Sequence, residues 1–594
     1  PRTAAGADPL PDTITAGVLA MADGYTSRLN YDYNLSPRML LHVGVGWNDA
    51  ILYLESPVNN YDSLKELGLT GQTLQRYFPR IVSGINANDN VGGMSPLGTT
   101  FPTKSYERRP MSNATLTYVT GGHTYKFGLD YRLEKYPNYV LTNTNGTYTF
   151  GTNMTETPSL LNVTTNQGFN GFQFASFLLG GMSANSQNAP IALSNIKSQT
   201  ALFAQDTWKV TRKLTLDYGL RWDYGTYSYE QYGRNGSTGL AVPNPSAGGR
   251  LGATQFEATC KCQFASNYPY AIGPRVGVGY QIDQKTVLRA AFGVVYNSTS
   301  TAVGFTSNSA SSNAFPANSG LTTGLFKDGM PAGVRAVWPS FDANVGQPVG
   351  AVIAMPSMLD QNAGRPARLT QWNIGLQREI MKNTLLDASY NGAYSYIPVS
   401  QRVDYLPQNF WTTGNVRDQA NDNFLNGNVP NPYNISNMAS LRSSSPALYN
   451  YMAGQGFFTR TVMPLNQLLR PFGQMSGITG IRPGVDWKSV QGYTNYHDAQ
   501  VLLERRYMKG VTSTLMYTWA SSYTADFYLN EFDAKPSERI NNNVMPHRIA
   551  WTTIWETPFG KGRAHIKDGF MSHVVGNWNL SWIYQRQSGP AIDW

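Results

Sequence analysis

Eleven consecutive residues, Leu214-Thr-Leu-Asp-Tyr-Gly-Leu-Arg-Trp-Asp-Tyr224, alternate without a break. Leu214, Leu216, Tyr218, Leu220, Trp222 and Tyr224 fall on one face of an extended chain, and Thr215, Asp217, Gly219, Arg221 and Asp223 on the other. Side chains of a strand point to opposite faces in turn, so this pattern places one face against an apolar medium and the other against a polar one. A single such strand fits a soluble sandwich. Its repetition along most of the chain fits a membrane barrel better.

Composition supports strands and turns. Aromatic residues make up 12% of the chain and charged residues 14%, the latter below the quarter usual in soluble domains. Mean hydropathy is −0.34, and the sequence holds no apolar run long enough for a spanning helix. A barrel reaches this average because half of each strand faces the lumen and its loops are polar. The net charge of +9 comes from scattered Lys and Arg without a dense basic run, so nucleic acid is not expected as a partner.

Pairs of alternating segments flank short turns: Tyr25–Asn34 with Arg38–Asn48, Ser112–Thr120 with Thr124–Lys135, and Gln199–Lys209 with Leu214–Tyr227. Further pairs are Ile272–Gln281 with Thr286–Asn297, Leu369–Ile380 with Thr384–Tyr396, and Asn495–Tyr507 with Val511–Tyr523. Pro546–Glu556 leads through a longer connection to Val574–Gln587. These give roughly fourteen strands, most near the 9–12 residues of a tilted membrane strand. Segments 49–111, 136–198, 228–271, 298–368, 397–494 and 524–545 read as long polar loops. Short turns on one side and long loops on the other predict an all-β, transmembrane antiparallel barrel with periplasmic turns and extracellular loops. The alternative to a partial chain is that other strands lie within the long loops, for instance around Gly171–Leu179 or Trp487–Gly492.

Trp372, Ile374 and Leu376, like Leu515, Tyr517 and Trp519, face outward in this reading, and Trp47, Trp222, Trp555, Trp578 and Tyr584 are candidates for the interfacial girdles. Arg378 and Arg505 break the apolar face within a few residues of short turns, where their heads can snorkel to the periplasmic interface. Candidate lumen-facing residues are Asp130, Arg132, Glu134, Asp217, Arg221 and Asp223. They either line a substrate path or, as the preferred assignment, pair across strands or hold a plug. Tyr227, Tyr229 and Tyr232 at the start of a long loop, with Tyr390, Tyr394 and Tyr396, are candidates for stacking on a ligand. The competing assignment, to the outer girdle or to packing within the loops, is preferred.

Cys260 and Cys262 are the only cysteines; they are read as residues of a polar loop, with a local disulfide as the alternative. His42, His123, His497, His547, His565 and His573 are dispersed, so no metal or other cofactor is expected. No nucleophile–base or carboxylate pair stands out, which makes an enzyme the weakest functional class.

Phe203-Ala-Gln-Asp-Thr-Trp-Lys-Val-Thr-Arg-Lys-Leu-Thr-Leu-Asp-Tyr-Gly-Leu-Arg-Trp-Asp-Tyr224 resembles the mid-barrel hairpin of TonB-dependent outer-membrane receptors. Ile272-Gly-Pro-Arg-Val-Gly-Val-Gly-Tyr280, Pro546–Trp551, Thr557-Pro-Phe-Gly-Lys-Gly562, Asn577-Trp578 and Gln587-Ser-Gly-Pro590 resemble other segments of that barrel. The very long loops and Asn/Tyr-rich strands are closest to its Oar-like branch. The resemblance implies active uptake across the outer membrane of a Gram-negative bacterium, energised by an inner-membrane TonB complex acting on a plug inside a barrel of about 22 strands. No plug, TonB box or signal peptide is recognisable, so the chain is expected to be partial: 1–24 a lead-in and 25–594 barrel, contacting the energy complex through a region outside it. The alternatives are a barrel anchoring a surface complex through its loops, and a passive porin.

Overall fold

The computed structural model describes residues 2–5, 10–72, 74–83, 96–99, 102–152, 154–155, 171–188, 190–233, 235–244, 250–297, 305–306, 310–313, 324–330, 358–359, 364–397, 406–411, 416–444, 446, 449, 453, 456–470, 481–482, 492–529, 533 and 535–591. Fourteen long strands among them form one antiparallel sheet: β1 Val18–Ser36, β2 Met39–Glu55, β3 Thr103–Thr120, β4 His123–Val140, β5 Ile191–Lys209, β6 Leu214–Gly225, β7 Tyr268–Asp283, β8 Thr286–Tyr296, β9 Arg368–Met381, β10 Thr384–Ile397, β11 Gly492–Met508, β12 Val511–Phe527, β13 His547–Glu556 and β14 Asn579–Gln587. Each pairs with the next in sequence, an up-and-down meander. Local chemistry sets the turns. Lys509 and Gly510 both take left-handed backbone between Met508 and Val511, the geometry that matches strand twist in a two-residue hairpin.

Register carries the alternation from strand to strand. On one face Leu202, Trp222 and Ile272 form a row, and Phe292 lies beside Trp372. Leu220 and Ile272 are more than half exposed on the isolated chain, so this face offers its apolar side chains to a non-aqueous surrounding. Among the described residues no helix is long and apolar enough to cross a membrane; crossing falls to the strands.

Several strands run longer than the 9–12 residues anticipated, with β1 and β5 reaching 19. The outer row of β3 explains the excess. Between Arg108 and Tyr118 that row holds Pro110, Ser112, Ala114 and Leu116. Ten residues rise about 33 Å along a strand, or about 25 Å along the membrane normal at a tilt near 40°, the height of an apolar band. Above it the row continues with Arg108, Tyr106 and Lys104, still paired to β2 and β4. Ladder hydrogen bonds persist in water, so the pairing outlasts the membrane. The segments 49–111, 136–198 and 397–494 are shortened accordingly. At the other end, β1 begins at Val18, ahead of Tyr25, and Arg2–Ala5 pairs with its start.

Two assignments are corrected. Residues 171–179 do not add a strand: Gln173–Leu178 is helical, because Phe174 and Phe177 recur at helical spacing and Phe177 packs on Phe150 at a ring separation of 5.2 Å. Val574 and Val575 end a helix, Phe570–Val575, so the last strand starts at Asn579. Residues 483–491, which include most of Trp487–Gly492, lie outside the described residues; Gly492 itself opens β11.

Candidate functional site

The face opposite the apolar ladder is polar and, near its middle, nearly bare of side chains. Gly219, Gly277, Gly293, Ala291 and Ala393 sit on β6, β7, β8 and β10 and floor an open groove of about 920 Å³. Gly277 and Gly293 would meet no atom closer than 3.6 Å if given a Cβ, so backbone crowding does not require glycine there. Open space above the sheet is what their small size leaves. Phe203, Arg221 and Arg275 border the groove on one side, and Gln371, Asn373, Asn391 and Tyr496 on the other. Asn391 Nδ2 donates to Asp498 Oδ1 at 2.7 Å, fixing that wall. Among the described residues no carboxylate pairs with Arg275.

Five of the six candidate charges belong to linked networks beside this groove. Arg221 reaches Asp130 at 2.7 Å and Asp223 at 3.1 Å, spanning β6, β5 and β4. Arg132 and Lys197 hold Glu134 at 2.7 and 3.2 Å, and the Tyr136 hydroxyl also donates to it. Gln199 joins the two groups, accepting from Arg132 at 2.7 Å and donating to Asp223 at 3.5 Å. Asp217 stands apart and accepts from Thr207 Oγ1 at 2.5 Å. Lys197 is not among the sequence candidates because 136–198 reads as loop, although Asn195, Lys197 and Gln199 alternate with Ile196 and Ser198. Arg275 and Tyr496 are absent from the sequence candidates: Arg275 stands in a glycine-rich strand with no charged partner in its own segment, and Tyr496 in a strand whose polar and aromatic residues do not mark a face.

The three loop tyrosines diverge. Tyr227 is buried, 5% exposed, and donates to Glu257 Oε1 at 2.8 Å, so it packs the loop and is not available to a ligand. Burial pushes the Glu257 carboxyl above its usual range and the Tyr227 hydroxyl above its own. Tyr229 and Tyr232 are exposed. Tyr394 stacks on Tyr493 at 5.2 Å and lies edge-on to Tyr396, while Arg368 covers the Tyr396 ring at 4.2 Å. Cys260 and Cys262, read as an unpaired polar-loop pair, are joined by a disulfide. Lys261 between them adopts left-handed backbone, which turns the two Cβ vectors toward each other across 5.1 Å between Cα atoms.

The long loops build a cap with its own core. Arg80–Ser83, Thr147–Phe150, Ala184–Asn188 and Ala310–Asn313 form a small sheet drawn from three different loops. Leu69, Ile81, Tyr148, Phe150, Met182 and Met330 fill its interior. Burial there raises the Tyr148 hydroxyl to about 12. A second cluster, Tyr433, Phe458 and Met463, organises the loop between β10 and β11.

Residues 4–593 match the family described as an outer membrane beta barrel domain. The chain belongs to that family. No curated protein matches this barrel chain. Among solved structures, the barrel is similar to the outer membrane transporter YddB from Escherichia coli, at 10% identity and a TM-score of 0.43, covering 99% of this chain and 57% of that one. It is also similar to the FrpB iron transporter from Neisseria meningitidis, at 9% identity and 0.37, over 96% and 51% of the two chains. A third is the ferric yersiniabactin uptake receptor FyuA from Yersinia pestis, at 8% identity and 0.37, over 93% and 50%. This outer-membrane barrel chain therefore spans little more than half the length of the structures it matches.

Proposed function

We propose that this chain is the wall of an active transport receptor of the outer membrane, drawing on TonB-supplied energy, and that its polar face lines the lumen. The observation that carries the reading is the groove floored by Gly219, Gly277 and Gly293. Charges such as Asp130, Arg132, Glu134, Asp217, Arg221 and Asp223 are tolerable on a lumenal face only where it is wet or filled by polar protein. The Phe203–Tyr224 hairpin and the long, folded loops favour the TonB-dependent receptors, and within them the Oar-like branch. In this reading Tyr229 and Tyr232 are the loop aromatics presented to substrate, and Tyr227 supports them from below. The energy complex acts through a region outside these residues, and no covalent chemistry is required of the barrel.

A genetic test separates this from passive diffusion. Growth of a deletion strain is compared with its parent on a panel of metal chelates, oligosaccharides and peptides, with and without a functional TonB complex. Any defect of the deletion is expected to disappear in the TonB-deficient background. A defect that persists there contradicts energised uptake.

A second reading, a barrel that anchors a surface complex, is favoured by one observation: the loop between β10 and β11 has its own core around Phe458. Removing that loop while preserving uptake would support an anchoring role for it.

A further inference from the structure

We propose that the outer face of the β3–β4 hairpin holds the phosphate of a membrane-lipid headgroup, through Arg108 and Lys135. These two cations are register partners, directly opposite each other on neighbouring strands. Like charges so placed repel unless an anion lies between them. Among the described residues the one carboxylate paired with Arg108 is Asp49, whose Oδ2 stands 3.8 Å from Nε while its other oxygen is buried without a partner. Among the described residues Lys135 has no carboxylate at all. One loosely held carboxylate thus faces two cations, leaving the cluster one negative charge short.

Position identifies the missing anion. Asp49, Arg108 and Lys135 lie in one row across β2, β3 and β4, one step above Trp47, Pro110 and Leu133. Below them the outer row of β3 is uncharged down to Tyr118, and that stretch spans the apolar band of about 25 Å. The cation pair therefore sits at headgroup level on the side of the long loops. Above it Tyr53, Tyr106 and Tyr139 form an edge-to-face shelf with ring separations of 6.0 and 6.2 Å. The Arg108 guanidinium rests 5.3 Å from the Tyr106 ring, and Lys104 lies 5.4 Å from Tyr53 and 3.7 Å from Glu55. A guanidinium presents a planar fork to two phosphate oxygens, and an ammonium adds a point charge to a third. Tyrosine rings at this height suit the boundary between acyl chain and headgroup. A lipid supplies both halves of that ligand; a free anion supplies only one.

The test uses full-length protein in non-ionic detergent, with native mass spectrometry counting retained dioleoyl phosphatidic acid against dioleoyl phosphatidylcholine. The wild type is expected to retain phosphatidic acid preferentially. R108Q/K135Q weakens that retention on the order of ten-fold or more, whereas R108K/K135R keeps it and D49N strengthens it. Heat-modifiable migration verifies that each variant is assembled. Equal retention by the wild type and R108Q/K135Q overturns the proposal. So does loss of retention in the charge-keeping variant, which assigns the effect to packing. Displacement by excess inorganic phosphate contradicts it as well, showing a site for a free anion.

Discussion

Arg221 on β6 reaches past a whole strand to lie 2.7 Å from Asp130 on β4. The strand between them contributes Ala201, which is opposite Asp130 on one side and Asp223 on the other and is 1% exposed. A larger side chain there blocks the reach. In a double-mutant cycle, D130N and R221Q are expected to couple by about 1 kcal/mol, since both side chains are partly exposed and screened. Ala201→Leu should abolish that coupling without touching either charge. Urea unfolding in micelles measures both.

Glu134 and Lys197 form a more deeply buried pair, with side chains 6% and 7% exposed and 3.2 Å apart. Removing one partner strands the other. Lys197→Met is expected to cost about 3 kcal/mol, lessened to the extent that Arg132 still holds the carboxylate, and adding Glu134→Gln should recover most of the loss. Additive losses in the double variant would contradict this.

Two glycines are covered by rings from the neighbouring strand. A Cβ on Gly128 would lie 2.2 Å from Phe203, and one on Gly392 would lie 2.3 Å from Trp372. Gly128→Val should destabilise the sheet by about 1–3 kcal/mol, because the ring must leave its site. Phe203→Ala in the same chain should relieve most of that penalty. If it does not, the clash is with the β3 backbone, where the Ala114 carbonyl lies 2.9 Å from the same position.

How much of this was legible in the sequence depends on distance along the chain. Leu214–Tyr224 disclosed its two faces because alternation is local, and register then fixed them on the neighbouring strands. The cap was not legible. Thr70 donates to the Asp328 carbonyl 258 residues away, and Asn145 donates to Phe78 across 67 residues. Such a core leaves no period in any one loop, so Tyr148 and Phe150 read as loop polarity with stray aromatics. Nor did polarity alone separate Asp217 from its neighbours: whether a charge joins a network depends on which strand lies two places away.

The loop around Glu257 should respond to pH. Burial is the main cause that raises its carboxyl; hydrogen bonds from the Tyr227 hydroxyl and the Glu230 backbone oppose it, and the nearby Glu230 charge adds a little to it. The packed loop consequently binds a proton more tightly than the open one. Its extra stability is complete below the ordinary carboxylate range, near pH 4, and is lost as pH rises through the packed-state value. Hydrogen exchange of 226–232, corrected for intrinsic rates, should show more opening at neutral pH than near pH 4, and Glu257→Gln should flatten the difference.

The cap should unfold apart from the wall. Phe150→Ala removes a buried ring and is expected to cost the cap about 3–5 kcal/mol. Limited proteolysis of intact cells should then cut 141–188 readily, while heat-modifiable migration of the barrel stays unchanged.

Filling the groove tests the central claim most directly. Gly277→Phe and Gly293→Phe place rings in open space, with no atom closer than 3.6 Å to either new Cβ, on strands whose pairing they leave intact. Uptake by cells carrying either variant, at wild-type surface levels, is the measurement. The account predicts an assembled barrel whose TonB-linked uptake falls at least about ten-fold. Unchanged uptake with both rings in place would contradict it.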